Sequence, residues 1–254
     1  MRPRRRIDVE LVRRGLSETR AEAASLVAEG RVLVNGAPTD KVSRQVDPAD
    51  SVVVTGPTPR FVGRGGEKLD AALAWFGIDV DGRVVLDAGA STGGFTDCVL
   101  QRGASRVAAV DVGHGQLHPR LRADDRVAVF EHTNVRDLAA DDIGGPVDLV
   151  VADLSFISLT VVAAALLEVA RPGADLILLV KPQFEIGRDH DGRKVLSRGR
   201  GVVTDPIWQA RACDRVVEAV GRRRVRGIVE SPLRGGDGNK EFLLHAVADA
   251  RLTS

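Results

Sequence analysis

The stretch VVLDAGASTGGFTD, Val84 to Asp97, joins a short apolar run to a glycine-rich loop. Val84, Val85 and Leu86 predict a buried strand that ends at an acidic residue. The glycines that follow, Gly89 and Gly93 among them, allow the backbone to turn sharply and to approach a ligand closely. A helix-like stretch comes next. This order of strand, glycine loop and helix indicates a nucleotide-like ligand at the end of the strand.

Three kinds of ligand loop can be separated by their residues. A phosphate-binding P-loop ends in Gly-Lys-Ser/Thr, and Thr92-Gly93-Gly94-Phe95 offers neither the lysine nor the hydroxyl. A dinucleotide loop requires Gly-x-Gly-x-x-Gly, which the spacing of these glycines does not match. The remaining pattern, Asp87-x-Gly89-x-x-x-Gly93, resembles motif I of class I S-adenosylmethionine-dependent methyltransferases. In such an enzyme a second acid follows the next strand, and Asp111 stands there, placed to accept hydrogen bonds from both ribose hydroxyls of the cofactor.

Beyond the loop, strand patterns alternate with helix patterns, which is typical of an α/β doubly wound sheet. The sequence therefore predicts a class I methyltransferase (Rossmann-like) domain with an antiparallel last strand. Because ligands bind at the carboxyl ends of parallel strands, the polar residues that end the predicted strands should meet in one cleft. Those residues are Asp87, Asp111, Asn134, Asp153 and Lys181. Strands are predicted at Val84–Asp87, Val107–Asp111, Val127–Phe130, Val147–Asp153, Leu176–Lys181, Arg226–Glu230 and Phe242–Val247, and helices at Phe95–Arg102, Leu159–Ala170 and Ile207–Val220.

Composition limits the class of protein. The chain has 254 residues, which is room for one large domain and a small one. Its longest apolar runs are too short to span a bilayer, and the basic N-terminus has no apolar segment behind it, so we expect a cytoplasmic protein without a membrane element. The cysteines, Cys98 and Cys213, show no metal-ligand spacing, and His114 and His118 are expected at the surface. No metal is predicted.

The stretch TGPTP, Thr55–Pro59, is rich in Pro and Gly, as linkers are, and predicts a boundary between two domains. We place a small α+β domain at residues 1–55, a linker at 56–63 and the methyltransferase domain at 64–254. In the first, two short helices, Val9–Arg14 and Arg20–Glu29, precede a strand and the hairpin signal Asn35-Gly36. This order resembles the S4 RNA-binding domain. The resemblance implies RNA contacts by arginines, which we assign to Arg4, Arg6, Arg14 and Arg20, with Arg64 at the start of the second domain.

Lysine is scarce in this chain, since only five of its 36 basic residues are lysine. Lys181 nevertheless follows the apolar run LILLV directly. A desolvated lysine can lose its proton, whereas arginine cannot, so the choice of lysine favours a general base. Lys68, Asp153 and Glu241 are predicted to converge on the same cleft. The alternative is a buried structural network of ion pairs without catalytic work.

Five motifs together resemble the FtsJ-like ribose 2′-O-methyltransferases with a Lys-Asp-Lys-Glu tetrad. With an S4 domain ahead of it, the chain is similar to the TlyA family, long called hemolysins. The resemblance implies Lys68, Asp153, Lys181 and Glu241 as the tetrad, with Lys181 as the base. It also implies S-adenosylmethionine as cofactor and, as target, a cytidine ribose of ribosomal RNA within the large ribosomal subunit, with the small subunit as a further possibility. The cofactor residues it implies are Asp87, Gly89, Ser91, Gly93, Asp111 and Asn134. The motifs are Arg64-Gly-Gly-Glu-Lys68-Leu, Asp87 to Asp97, Asp153-Leu-Ser-Phe-Ile-Ser158, Lys181-Pro-Gln-Phe-Glu185 and Glu241-Phe242.

Other functions fit the residues less well. A base-directed amino methyltransferase carries two prolines after the fourth strand, and Asp153-Leu-Ser-Phe156 has none. A cytosine carbon methyltransferase needs a cysteine nucleophile there, and both cysteines lie elsewhere. A membrane-active hemolysin would need an apolar or amphipathic membrane segment. A noncatalytic S4-type RNA-binding adaptor stays open, and cofactor binding would distinguish it from an enzyme.

Overall fold

A computed structural model describes residues 4–56, 59–186 and 201–249 of the chain. It divides into two compact units, Met1–Gly63 and Arg64–Ser254. Of the predicted linker, residues 57 and 58 lie outside the described part.

The first unit packs two helices against short strands. Thr19 begins the second helix by accepting a hydrogen bond from the amide of Glu22, the usual work of an N-cap. Asn35 and Gly36 both have positive φ angles, of 52° and 79°, as the predicted hairpin turn requires. Buried apolar residues from both helices and the central strand, such as Leu11, Val27 and Val32, form the core. The elements are β1 (Arg5–Arg6), α1 (Ile7–Arg13), α2 (Arg20–Ala28), β2 (Val32–Val34), β3 (Ala37–Pro38), β4 (Gln45–Val46) and β5 (Val52–Val54).

The second unit is built on one seven-stranded sheet in the order β11-β12-β10-β9-β6-β7-β8. The five strands from β10 to β8 run parallel, while β12 is antiparallel to both of its neighbours, β10 and β11. The predicted α/β fold with an antiparallel last strand is confirmed. The elements are α3 (Gly65–Phe76), β6 (Val84–Ala88), α4 (Gly94–Gln101), β7 (Arg106–Val110), α5 (Pro119–Arg122), β8 (Val127–Phe130), β9 (Val147–Ala152), α6 (Leu159–Glu168), β10 (Ala170–Val180), α7 (Pro182–Glu185), α8 (Pro206–Val220), β11 (Val225–Glu230) and β12 (Phe242–Val247), with 3-10 turns at Val135–Asp137 and Ala140–Ile143.

Helices cover both faces of this sheet because its central strands are apolar on both sides. Leu86 and Ala88 of β6 belong to the core cluster that includes α6 and α8. Val85 and Asp87 point to the other face, where α3 and α4 pack against each other. Parallel strands buried on both faces are expected to be nearly continuous runs of Val, Leu, Ile and Ala. This holds for β6 and β9, each with one aspartate, and for β10 from Leu176 onward.

Two parts of this unit differ from the sequence-based expectation. Strand β10 begins at Ala170 rather than Leu176, with an irregular register between Ala170 and Asp175, so the preceding helix ends at Glu168. Arg171-Pro-Gly173 in that segment is typical of a turn, which is why the pattern hid the early pairing. Helix α3, which was not predicted from the sequence, carries Lys68. Within the described residues, no helix is both long and apolar enough to cross a membrane.

Candidate active site

Three strand ends and one helix bring the predicted tetrad to the carboxyl edge of the sheet. Val180 of β10 pairs with Phe242 of β12, so Lys181 and Glu241 each lie one residue beyond that pair, on neighbouring strands. Asp153 follows Ala152, the last residue of the adjacent β9. The sheet topology therefore gathers residues that are far apart in the chain.

Lys181 is held by two groups from the loop after β9. Its Nζ lies 2.6 Å from Oδ1 of Asp153 and donates a hydrogen bond of 2.9 Å to the Ser155 hydroxyl. The contact with Asp153 is an ion pair without hydrogen-bond alignment, because Oδ1 has no partner that meets hydrogen-bond geometry. The ammonium is thus fixed by charge on one side and by a directed hydrogen bond on the other.

Lys68 and Glu241 form the second pair, with 2.5 Å between Nζ and Oε2. Both side chains are buried, at 10% and 3% exposure, so their charges are poorly solvated and depend on each other. A Cβ on Gly65, one turn before Lys68 on α3, would lie 3.7 Å from Oδ2 of Asp153. The start of α3 therefore lies against Asp153, and the two ion pairs occupy the same end of the fold.

A cleft of about 530 Å³ opens beside these pairs. Asp153 forms part of its wall, which joins the cleft to the tetrad. Four of the six predicted cofactor residues line it: Gly89, Ser91, Asp111 and Asn134. The rest of the lining was not predicted and includes Val112, Gly113, Gln116, Val135, Leu154, Ser155, Phe156, Ile157 and Val162.

Asp111 is fixed at the cleft by two backbone amides. The amide of Ser91 donates to Oδ2 over 2.8 Å, and the amide of Gly113 donates to Oδ1 over 2.7 Å. Ser91 reaches this position with a positive φ of 47°, a conformation that costs energy for a residue with a side chain. Each carboxylate oxygen keeps a further lone pair, so Asp111 can still accept hydrogen bonds from two ribose hydroxyls.

Asp87 lies beneath the cleft, fully buried at the end of β6. Thr96 donates a 2.6 Å hydrogen bond to Oδ2, while Oδ1 is buried and has no hydrogen-bond partner. Burial raises the pKa of Asp87 to about 7, and the nearby charge of Asp153 adds to the rise, while the Thr96 hydrogen bond opposes it. A buried orphan oxygen costs free energy unless a ligand supplies a donor. The amino group of an amino-acid-bearing cofactor is such a donor.

The two glycines of the loop do different work. A Cβ on Gly89, whose φ is +86°, would lie 2.6 Å from the backbone oxygen of Asp153, so glycine is required where this loop meets the end of β9. Gly93, at φ +100°, instead packs under Leu121, where a Cβ would come within 2.2 Å of Cδ1. Neither Gly93 nor Asp87 lines the cleft. Gly93 thus has a packing role in the loop, and its contact with the cofactor stays a prediction.

The predicted RNA-contacting arginines fall into different settings. Arg4 is exposed, and Arg6 and Arg20 are about half exposed while both hydrogen-bond the buried Asp8. Burial alone would raise the pKa of Asp8, but these hydrogen bonds lower it. Arg14 is occupied inside the unit: it binds Glu10 and the backbone oxygens of residues 47, 48 and 50. Arg64, at the N-cap of α3, is exposed.

Comparison with known proteins shows which families this chain resembles. The model of the FtsJ-like methyltransferase family matches residues 61–247, and that of the S4 domain matches residues 5–52. A Mycobacterium tuberculosis protein named 16S/23S rRNA (cytidine-2′-O)-methyltransferase TlyA is 49% identical over 248 residues, which cover 96% of this chain and 90% of that protein. This chain belongs to the TlyA family of FtsJ-like methyltransferases. It is therefore an enzyme that transfers methyl groups, with an S4 domain before the catalytic domain.

Two further relatives extend the TlyA comparison. A Bacillus subtilis protein, YqxC, named as a candidate rRNA methyltransferase, is 44% identical over 94% of this chain and 84% of its own length. A solved structure of a candidate hemolysin from Streptococcus thermophilus has a TM-score of 0.75 and 37% identity, covering 100% of this chain and 93% of that one. The two-domain architecture of this TlyA member is thus shared over nearly its whole length.

Sequence reasoning missed several residues of this site, and the structure shows why. Ser155, which binds Lys181, and Phe156, which is 92% exposed with a positive φ of 66°, lie in a quoted motif, but their roles depend on loop conformation. His118 was expected at the surface and is buried, because its Nδ1 accepts from the amide of Arg120 and caps α5. Among the residues that the structure describes, no group of three or more metal-binding side chains is assembled.

Proposed function

We propose that this enzyme methylates the 2′-hydroxyl of a cytidine ribose in ribosomal RNA, with S-adenosylmethionine as donor and Lys181 as general base. The observation that carries the proposal is the position of Lys181, fixed between Asp153 and Ser155 beside the cleft. The name of the M. tuberculosis relative supports the reaction and its substrate. We take the large-subunit RNA as the first target and the small-subunit RNA as the second, since that relative is named for both.

The cleft residues fit the donor. Asp111 would receive the ribose hydroxyls, with Ser91 and Gly113 holding its carboxylate in place. Asp87 would accept a hydrogen bond from the amino group of the methionine part at Oδ1, which is buried behind the cleft wall, so the loop would have to move to admit this group. Gly89 would line the cleft, and its missing Cβ lets the loop lie against the backbone oxygen of Asp153. Asn134, which lines the cleft, would lie beside the adenine base of the cofactor. When bound, S-adenosylmethionine supplies a methyl group that is already electrophilic, so the protein has to align the hydroxyl and take its proton.

Lys181 would take that proton at Nζ. An ammonium cannot accept a proton, so the reactive form is the one in which Lys181 has released its own to solvent. Ser155 can accept a hydrogen bond from Nζ in either state, whereas Asp153 attracts the charged form.

Lys68 and Glu241 would fix the substrate side of the site. Glu241 orients the Lys68 ammonium through the 2.5 Å contact, and a buried cation there can bind the ribose or a neighbouring phosphate. Arg64, exposed at the start of the same helix, and the arginines Arg4, Arg6 and Arg20 of the first unit would add sequence-independent contacts to the RNA backbone. With ribosomal RNA as substrate, the reaction belongs in the cytoplasm.

The first prediction replaces Lys181. In Lys181→Arg the positive charge is kept, but the group that can accept a proton is lost, so methyl transfer should fall by about a hundredfold or more while cofactor affinity persists. Lys181→Ala should lose activity to a similar degree. The measurement is single-turnover methylation of ribosomal RNA at saturating cofactor, with mass spectrometry to locate the methylated ribose.

Thermal melts would show that both variants are folded. Near-normal turnover by Lys181→Arg would exclude Lys181 as the base and leave only a structural ion pair. A chain that bound ribosomal RNA but bound no S-adenosylmethionine would instead be the RNA-binding adaptor.

A further inference from the structure

Two chain segments form the Lys181 side of the site, and they are joined at their far ends as well as at the reactive end. Lys181 begins one segment, which continues through α7 to Glu185; Asp153 begins the other, which ends at Ser158, the N-cap of α6. The rings of Phe156 and Phe184 touch midway, with 5.5 Å between their centroids. The proposed roles of Lys181 and Asp153 leave the far link unexplained.

That link is the carboxylate of Glu185, which is buried at 2% exposure. Its Oε2 accepts a 2.5 Å hydrogen bond from the Ser158 hydroxyl, and its Oε1 accepts a 2.8 Å hydrogen bond from the amide of Leu159. Both donors belong to the first turn of α6, where a negative group also meets the positive end of the helix dipole. Burying a carboxylate costs free energy, so its presence here calls for a role that an apolar residue would not serve.

We infer that Glu185 is a positioning residue, which fixes the register of the Lys181 segment against the Asp153 segment and so places Nζ of Lys181 between Asp153 and Ser155. The inference rests on the proposed function of Lys181. Only three residues separate Lys181 from Glu185, and Pro182 stiffens that connection. A shift at Glu185 would therefore be passed to Lys181 with little slack.

Three substitutions of Glu185 separate the effect of its hydrogen bonds, which set position, from the effect of its charge. In Glu185→Gln the side chain keeps its length; its oxygen can accept from the Leu159 amide and its NH₂ can donate to the Ser158 hydroxyl, which rotates to suit. Glu185→Asp keeps the charge but is one methylene shorter, and Glu185→Ala removes both hydrogen bonds. Burial raises the pKa of Glu185, which is consistent with a link that tolerates the neutral form.

The experiment measures single-turnover methylation of ribosomal RNA by the full chain across pH, together with cofactor and RNA affinities. Glu185→Ala and Glu185→Asp should lower the methyl-transfer rate by about tenfold to a hundredfold at unchanged affinities, as small displacements of reacting groups do. Glu185→Gln should stay within about threefold of the unsubstituted enzyme, with the same pH profile.

A matched control lies on the strand that leads to Lys181. Asp175, in the middle of β10, is a largely buried carboxylate that binds His245 over 2.7 Å and Arg83 over 2.6 Å. Asp175→Asn should lower the melting temperature yet leave the methyl-transfer rate unchanged.

Three results would overturn the inference. The first is a methyl-transfer rate in Glu185→Gln as low as that in Glu185→Ala, and the second is full activity in Glu185→Ala. The third is a loss of rate in Asp175→Asn that matches the loss in the Glu185 variants at the same drop in melting temperature. Failure of the proposed function itself would look different. Near-normal turnover by Lys181→Arg would exclude Lys181 as the base, and an unsubstituted enzyme without methyl transfer to ribosomal RNA would exclude the substrate.

Discussion

Among single residues, Asp87 shows most clearly how a buried acid can oppose stability. It is fully buried, one of its oxygens has no hydrogen-bond partner, and its pKa is raised to about 7. An acid whose folded-state pKa exceeds its unfolded value binds protons more tightly when folded, so its contribution to stability falls as the pH rises between those two values. The ligand-free fold is therefore weakened above about pH 4, and the more so up to about pH 7.

Replacing Asp87 with asparagine tests this directly. The variant should gain stability relative to the unsubstituted protein by about 2 kcal/mol more at pH 8 than at pH 5.5, because asparagine does not titrate. Its cofactor affinity should fall sharply. Urea unfolding followed by tryptophan fluorescence reports on the second unit, where both tryptophans, Trp75 and Trp208, lie. A stability difference that did not change with pH would show that Asp87 is ionised throughout.

The positions of site residues were predictable from sequence where those residues follow or precede a strand. Lys181, Asp153 and Glu241 lie at the predicted edge because parallel and antiparallel strands must end at known edges of a sheet, while their catalytic roles stay predictions. The sequence shows the charge of Arg14 but not the backbone oxygens that bind it, so these internal contacts were not predicted, and its contact with RNA stays a prediction. Glu185 and Ser155 escaped notice for the same reason: their partners are set by tertiary packing.

At the scale of elements, the strand and helix pattern predicted the sheet well and failed where local signals conflicted with tertiary pairing. The bounds of strands β6 to β9 were predicted to within one residue at every end, since each strand is a compact apolar run. The first part of β10 carries turn-forming residues and was missed, although it pairs with β9 at Ala170. The close meeting of β6 and β9 at Gly89 lies between elements, and no periodicity predicts it.

Two glycine substitutions test the close approach of the loop after β6 to the end of β9. Gly89→Ala would combine a positive φ with a Cβ 2.6 Å from the Asp153 oxygen, so the loop and Asp153 must move apart. Gly82→Ala has a similar φ of +71° and nothing within 4 Å, and it should cost only about 1 kcal/mol of stability. We expect cofactor affinity, measured by calorimetry, to fall at least about tenfold in Gly89→Ala and to be unchanged in Gly82→Ala. Equal effects would mean that backbone strain alone matters.

At the scale of the whole molecule, the two units carry different kinds of residues. The cleft and the four residues of the predicted tetrad lie in Arg64–Ser254. The unit Met1–Gly63 carries exposed arginines and its own core. The break in texture at Thr55–Pro59 allowed two domains to be predicted, because a Pro- and Gly-rich stretch supports neither a helix nor a strand.

Removing the first unit should therefore separate binding from chemistry. Residues 64–254 alone should bind S-adenosylmethionine as the full chain does, but should lose most of their affinity for ribosomal RNA. The salt dependence of RNA binding should become shallower by about one unit of slope for each lost phosphate contact. Filter binding over a range of salt concentrations checks this. An unchanged affinity and slope would remove RNA binding from the role of the S4 unit.

The ion pair between Lys68 and Glu241 joins residues 173 positions apart, from the first helix of the catalytic unit to its last strand. During synthesis, then, the site cannot be complete until nearly the whole unit has left the ribosome. A product terminated before β12 would lack Glu241 and would also leave the edges of β10 and β11 unpaired, a surface prone to aggregation. Premature stop codons near the end of the coding sequence should thus yield inactive, insoluble protein rather than a partly active enzyme.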